Sequence, residues 1–125
     1  MVENIKILIA DDSELMRLLI KRIFAKWLKS PIISERSNLS DTLELLGEEQ
    51  FDFVLLDINI PGGDSSPDTV KEILSLQPAL KICMFSGNNK ASLEQNYLDA
   101  GAMGFIQKDE NLNAALEQLI KKTFN

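Results

Sequence analysis

The sequence predicts an α/β fold, a doubly wound and mostly parallel sheet with helices on both faces. Three observations lead there. Short apolar runs alternate with amphipathic segments, the pattern of strands feeding crossover helices. The central run, Phe53 to Asp57, is apolar without alternation, as a strand covered on both faces requires. The length of 125 residues suits one ordinary domain, in which folding hides roughly two thirds of the surface that an unfolded chain exposes.

The first strand is expected over Ile5 to Ala10. After Ser13, the residues Met16, Leu19, Ile20, Ile23 and Trp27 recur at helical spacing and give helix one an inward face, ending before Ser30-Pro31. A short strand near Ile32 to Glu35 follows, then helix two from about Ser40 to Glu49 with Leu43 and Leu46 inward. Strand three is Phe53 to Asp57. The turn-rich stretch Pro61-Gly62-Gly63-Asp64-Ser65-Ser66 leads into helix three, which Pro67 can open at its first position and which ends near Pro78. Strand four is Lys81 to Phe85, and helix four runs from about Lys90 to Ala100, with Leu93 and Tyr97 one turn apart and Gly101 as its stop. After strand five, Gly104 to Gln107, a last helix carries Leu112, Ala115, Leu116, Leu119 and Ile120 as one stripe. No linker, repeat or low-complexity tract divides the chain, so one unit over residues 1–125 is expected.

Composition removes several function classes. With 13 basic and 19 acidic residues the formal charge is -6, which repels a phosphate backbone and argues against direct nucleic-acid binding. Lys21, Lys26, Lys29, Lys121 and Lys122 fall late in their helices, where they complement the dipole. There are no histidines, which removes a catalytic triad, the usual zinc sites and a phosphohistidine carrier. Cys83, the one cysteine, lies within Ile82-Cys83-Met84-Phe85, so a buried thiol and a reducing, cytoplasmic setting are expected. Glu3 and Lys6 interrupt the first apolar stretch, so no signal peptide is expected, and no run is long enough to span a membrane.

In open parallel sheets ligands bind beyond the carboxyl ends of the strands, where the strand order reverses. Asp11, Asp12 and Ser13 follow strand one, Asp57 ends strand three, Ser86 follows strand four and Lys108 follows strand five. Taken singly, each has an ordinary explanation: a helix cap, a turn acid, a loop hydroxyl, a surface lysine. Their coincidence at strand ends is what carries information. Two carboxylates about 4 Å apart repel by roughly 4 kcal/mol at an effective dielectric near 20, so three in one pocket call for a counter-charge. Mg2+, a hard cation that takes oxygen ligands and is held by one or two carboxylates plus a phosphate, answers that need. The cation and Lys108 would neutralise a phosphoryl group arriving in line on Asp57.

The ordered set Asp11-Asp12, Asp57, Ser86 and Lys108 resembles the signature of response-regulator receiver domains, in particular the chemotaxis-type receivers. Supporting strings are Leu55-Leu56-Asp57-Ile58-Asn59-Ile60-Pro61-Gly62 around the acceptor and Asp99-Ala100-Gly101-Ala102-Met103-Gly104-Phe105 before the lysine. The resemblance covers essentially the whole chain. It implies a (βα)5 flavodoxin-like fold with strand order 2-1-3-4-5. Further, it implies that Asp57 accepts phosphate from a histidine kinase or phosphotransfer protein and that Asp12 and Asp57 bind Mg2+ directly. Asp11 would hold the ion through water, and the Asn59 backbone carbonyl would supply another ligand. Ser86 matches the switch hydroxyl, Phe105 the aromatic that follows it inward, and Lys108 the phosphate partner; Asn59 and Asn88 flank the path of attacking water. The surface of helix four, strand five and helix five is then expected to change and to control a downstream protein or a fused output domain. Such a protein is a signalling switch and not an enzyme.

The sequence departs from that pattern in places. Asp109 stands where receivers usually carry a proline in a cis bond, and because a cis bond without proline costs about 2.5–4 kcal/mol, a trans bond and a differently shaped loop are expected. Ser65-Ser66-Pro67 gives helix three an unusual start, Gly87 replaces a more frequent alanine and Ser86 a more frequent threonine. Two other readings compete. A receiver-shaped interaction module that works without phosphorylation differs in forming no acyl phosphate. A haloacid-dehalogenase-type phosphatase needs a second acid two residues after the first, where this chain has Asn59, and more chain.

Overall fold

The computed structural model describes residues 3–87 and 90–124. Five strands and five helices alternate: β1 (Lys6–Ala10), α1 (Glu14–Trp27), β2 (Ile32–Arg36), α2 (Leu39–Glu48), β3 (Phe53–Asp57), α3 (Pro67–Leu76), β4 (Lys81–Ser86), α4 (Lys90–Ala100), β5 (Gly104–Gln107) and α5 (Leu112–Phe124). The strands form one sheet in the order β2-β1-β3-β4-β5, and every pairing is parallel. This is the flavodoxin-like α/β arrangement that the sequence predicts.

Side-chain alternation explains the unbroken apolar run of β3. Val54 and Leu56 face one core with Leu45 and Leu46 of α2, Val70 and Ile73 of α3 and Tyr97 of α4. Phe53 and Leu55 face the other, with Ile20, Ile23 and Phe24 of α1 and Leu116, Ile120 and Phe124 of α5. A central strand must therefore be apolar at every position, because each face of the sheet has its own layer of helices. Each such Leu, Ile or Phe taken fully out of water contributes about 1.5–3 kcal/mol.

Helix ends follow local chemistry. Ser13 caps α1 by accepting from the Met16 amide. Asn38 caps α2 by accepting from the Asp41 amide, so the helix starts at Leu39, one residue before the expected Ser40. Pro67 opens α3 at its first turn behind a reciprocal cap between Ser66 and Thr69, which satisfies two helix-terminal groups at once. Gly101 ends α4 with φ of +117°, a conformation that costs other residues a steric clash.

One inward assignment needs correction. Leu19 is 43% exposed: it falls on the flank of the apolar arc, and Phe24, one turn beyond Ile20, takes the inward position instead. Leu43 does pack inward, partly buried against the core as expected, beside the buried Leu39, Thr42, Leu45 and Leu46 of α2. Among the described residues no helix is long and apolar enough to cross a membrane.

Candidate functional site

Because all five strands run the same way, their carboxyl ends form a single rim, and the acids of the sequence meet there. Asp11 follows β1, Asp57 is the last residue of β3, Ser86 the last of β4, and Lys108 follows β5. The register sets their heights: Asp57 pairs with Phe85 and Ser86 with Gln107.

Asp11 and Asp57 are both buried and share one cation. Lys108 Nζ donates to Asp11 Oδ2 at 2.8 Å and stands 3.2 Å from Asp57 Oδ2. The same ammonium lies 4.7 Å from the centre of the Phe85 ring, a favourable cation–π contact. The second oxygen of each acid is spoken for by backbone: Asp11 Oδ1 accepts from the Ser13 amide at 2.8 Å, and Asp57 Oδ1 accepts from the Asn59 amide at 3.2 Å. Asp12 points the exposed third carboxylate at the pair, and one oxygen from each of the three acids lies within 4.8 Å of the others.

The electrostatics are those of a pocket short of positive charge. Burial raises the Asp57 pKa; Lys108 pulls it back down, and Asp11 adds to the rise. Burial pulls the Lys108 ammonium down, but its hydrogen bond to Asp11 and the charges of Asp57 and Asp11 outweigh that and hold it above its ordinary value. One ammonium thus pairs with two of three clustered carboxylates. The residues fit a small hard cation: the donors are all oxygen, and one from each of the three acids lies within 4.8 Å of the others. The acidic triad of Asp11, Asp12 and Asp57 could hold a metal ion.

The remaining predicted residues fall around this pocket. Ser86 is buried, and its backbone carbonyl accepts from the Lys108 amide at 2.8 Å. Phe105 is buried on the α4 side of the sheet, its ring centre 5.9 Å from that of Tyr97. Asn59 is exposed, two residues past Asp57. Asn88 lies outside the described residues. No cis peptide bond occurs among the described residues, so Lys108–Asp109 is trans, as the missing proline predicts.

Two polar links were not anticipated. Arg17 of α1 donates to the backbone carbonyl of Asp11 at 2.6 Å and to Glu35 of β2 at 3.0 Å. The Tyr97 hydroxyl donates to the Ser65 backbone carbonyl at 2.6 Å, joining α4 to the loop before α3. Both join residues distant in sequence, and helical spacing, which places Tyr97 inward as an apolar ring, carries no signal for its oxygen.

Comparison with known proteins agrees with this geometry. Residues 7–121 match the response regulator receiver domain family. The chain is 33% identical over 120 residues to the chemotaxis protein CheY of Bacillus subtilis, covering 96% of this chain and 98% of that one. It is 32% identical over 111 residues to a putative transcriptional regulator of Pseudomonas aeruginosa, where 89% of this chain matches 53% of the other. This chain therefore spans about half the length of the Pseudomonas protein. Its fold superposes with a TM-score of 0.77 and 20% identity on a response regulator from Burkholderia pseudomallei crystallised with a phosphorylated aspartic acid, calcium ion and citrate, covering 90% of this chain and 65% of that one.

Proposed function

The chain belongs to the response regulator receiver domain family, a signalling protein and not a catalytic enzyme, and from that premise we propose that it is a phosphorylation-dependent switch whose acceptor is Asp57. One observation carries this reading: two buried carboxylates grip a single lysine beside a third, exposed carboxylate, with donor oxygens within 4.8 Å. Such a concentration of like charge destabilises the resting protein, which supports the reading that a cation and a phosphoryl group are held there.

Asp11, Asp12 and Asp57, with the Asn59 carbonyl, would hold Mg2+, which when bound supplies fixed positive charge against phosphoryl oxygens. An Asp57 oxygen forms the new bond to phosphorus as the phosphorus–nitrogen bond of a phosphohistidine donor breaks, and the released imidazole carries away the electron pair. Receiver domains generally partner with histidine kinases, and a kinase or phosphotransfer protein is the donor proposed here. Leu15, 77% exposed, and Leu18, 40% exposed, stand just beyond Asp12 and Ser13 where a donor must approach.

The phosphoryl group brings up to about two negative charges and three strong acceptor oxygens. Lys108, now held by Asp11 and Asp57, pairs with it, and the Ser86 hydroxyl turns toward it. Phe105 moves into the space that Ser86 vacates, altering the surface of α4, β5 and α5 that a downstream protein or output domain reads. Inverting a 1:99 population needs about 5.5 kcal/mol of differential stabilisation, which charge-assisted contacts from Ser86 and Lys108 supply only against a marginal resting state. We take the receiver unit to extend over residues 1–125 and to act in the cytoplasm.

The test is acyl-phosphate formation with acetyl phosphate and Mg2+, read by intact mass. The wild-type chain is expected to gain one phosphoryl group and Asp57→Asn none. Equal labelling of Asp57→Asn refutes the acceptor assignment, and absence of labelling in the wild type favours an interaction module that works without phosphorylation.

A further inference from the structure

Arg17 sits just beyond the acid pair in α1, outside the pocket, yet it is tied to the pocket through the main chain. Its Nη1 donates to the Asp11 carbonyl at 2.6 Å, and its Nε donates to Glu35 Oε1 at 3.0 Å. Glu35 stands opposite Ile9 on the edge strand and takes a second cation, Lys21, on its other oxygen at 2.9 Å. The Arg17 side chain is only 16% exposed, so its planar fork is held from two sides.

The carbonyl that Arg17 grips belongs to the peptide bond joining Asp11 to Asp12. That unit is planar and rigid, so fixing its oxygen fixes the direction in which the chain leaves toward Asp12. The Asp11 amide, on the other side, donates to the Arg36 carbonyl at 3.1 Å. Asp11 is thus anchored by its amide, its carbonyl and both carboxylate oxygens. Asp12 differs: its carboxylate is exposed and makes no hydrogen bond or ion pair among the described residues, so only its backbone aims it.

We propose that Arg17 is a positioning residue for the cation pocket: through the Asp11–Asp12 peptide it aims the Asp12 carboxylate at Asp11 and Asp57, with Glu35 and Lys21 holding the guanidinium in place. This rests on the reading of the pocket as a divalent-cation site. The sign of the effect separates positioning from simple charge. A guanidinium near the pocket repels a cation, so on charge alone its removal tightens Mg2+ binding, whereas loss of positioning weakens it.

Mg2+ is titrated into the full chain and its affinity read from the amide shifts of Asp11, Asp12 and Ser13 in proton–nitrogen spectra, with urea unfolding in chelator as the measure of folding. Partners that orient a metal ligand typically contribute 10–100-fold in affinity, and because Arg17 acts through backbone, Arg17→Met is expected at the low end, about 10-fold weaker. Arg17→Lys keeps the charge and the fold but not the two-sided fork, and is expected to bind Mg2+ several-fold more weakly, a loss that a merely structural arginine does not produce in a folded variant. Affinity equal to or tighter than wild type in either folded variant overturns the proposal. A wild-type chain that shows no shifts at millimolar Mg2+ overturns the cation reading itself, a result distinct from the variants alone keeping full affinity.

Discussion

Replacing Tyr97 with phenylalanine removes one oxygen and leaves the ring, so it isolates the value of the link between α4 and the loop before α3. The hydroxyl donates to the Ser65 carbonyl at 2.6 Å in a buried setting. Burial, then the charge of Asp64, raises the hydroxyl's pKa, so it remains a proton donor throughout the neutral range. No other donor reaches that carbonyl among the described residues. Its contact with Phe105, centroid to centroid at 5.9 Å, survives the change, and no cavity larger than an oxygen atom opens. The cost is therefore that of stranding a buried acceptor, about 1–3 kcal/mol. With a urea slope on the order of 2 kcal/mol per molar, the unfolding midpoint falls by about 1 M at unchanged slope. Urea unfolding followed by far-ultraviolet circular dichroism measures this. A midpoint lowered by less than about 0.2 M refutes the reasoning, because it means that the carbonyl finds water or that the bond is not formed in solution.

Two further outcomes are expected. Gly101→Ala forces φ of +117° on an alanine and drives its Cβ into the Leu74 side chain, so it destabilises by about 1–3 kcal/mol, whereas Gly47→Ala, in helix α2 with open space around it, stabilises by about 0.5 kcal/mol; thermal unfolding of the pair tests the difference in sign. Glu35 is held below its ordinary 4.5, first by its hydrogen bond from Lys21 and then by Arg17, against burial. A depressed acid contributes stability that is full above that ordinary value and is lost as pH falls through the lowered one, so Glu35→Gln costs at most about 1 kcal/mol at pH 7, after discounting for screening, and nothing at strongly acidic pH. A wild-type advantage that persists in acid sinks the assignment.

How much of this was legible in the sequence depends on whether the signal was local. The bounds of β3, α4 and β5 match the reading because Phe53 to Asp57 is an apolar run with an acid at its end, and Gly101 leaves no other way to end α4. Asp11, Asp57 and Lys108 meet because parallel strands with right-handed crossovers place every carboxyl end on one rim. Leu19 was misplaced because a five-residue apolar arc on α1 is wider than the surface the sheet covers. Arg17, Glu35 and the Tyr97–Ser65 bond were hidden because each partner lies on a different element, and spacing within one element says nothing about which polar atoms face each other across two.

The residue after Lys108 shows how a departure from the family pattern can leave a pocket intact. A proline there would stiffen the loop but remove an amide donor. Asp109 keeps its amide and donates it to the Gln107 carbonyl at 3.0 Å, while its own carbonyl accepts from Leu112 at 3.1 Å and its Oδ1 accepts from Asn111 at 2.9 Å. The loop is therefore fixed by hydrogen bonds into the start of α5, and the aspartate supplies negative charge where that helix's dipole favours it. One residue earlier, the Lys108 amide donates to the Ser86 carbonyl at 2.8 Å, which extends the β4–β5 ladder to the edge of the pocket. Lysine and serine are thus bound to each other through their backbones. If Ser86 is to reach a phosphoryl group on Asp57, it has to do so by rotation of its side chain, with Lys108 already in place. In the proposed switch the remaining movement would then fall to the Phe105 ring, which lies against Tyr97.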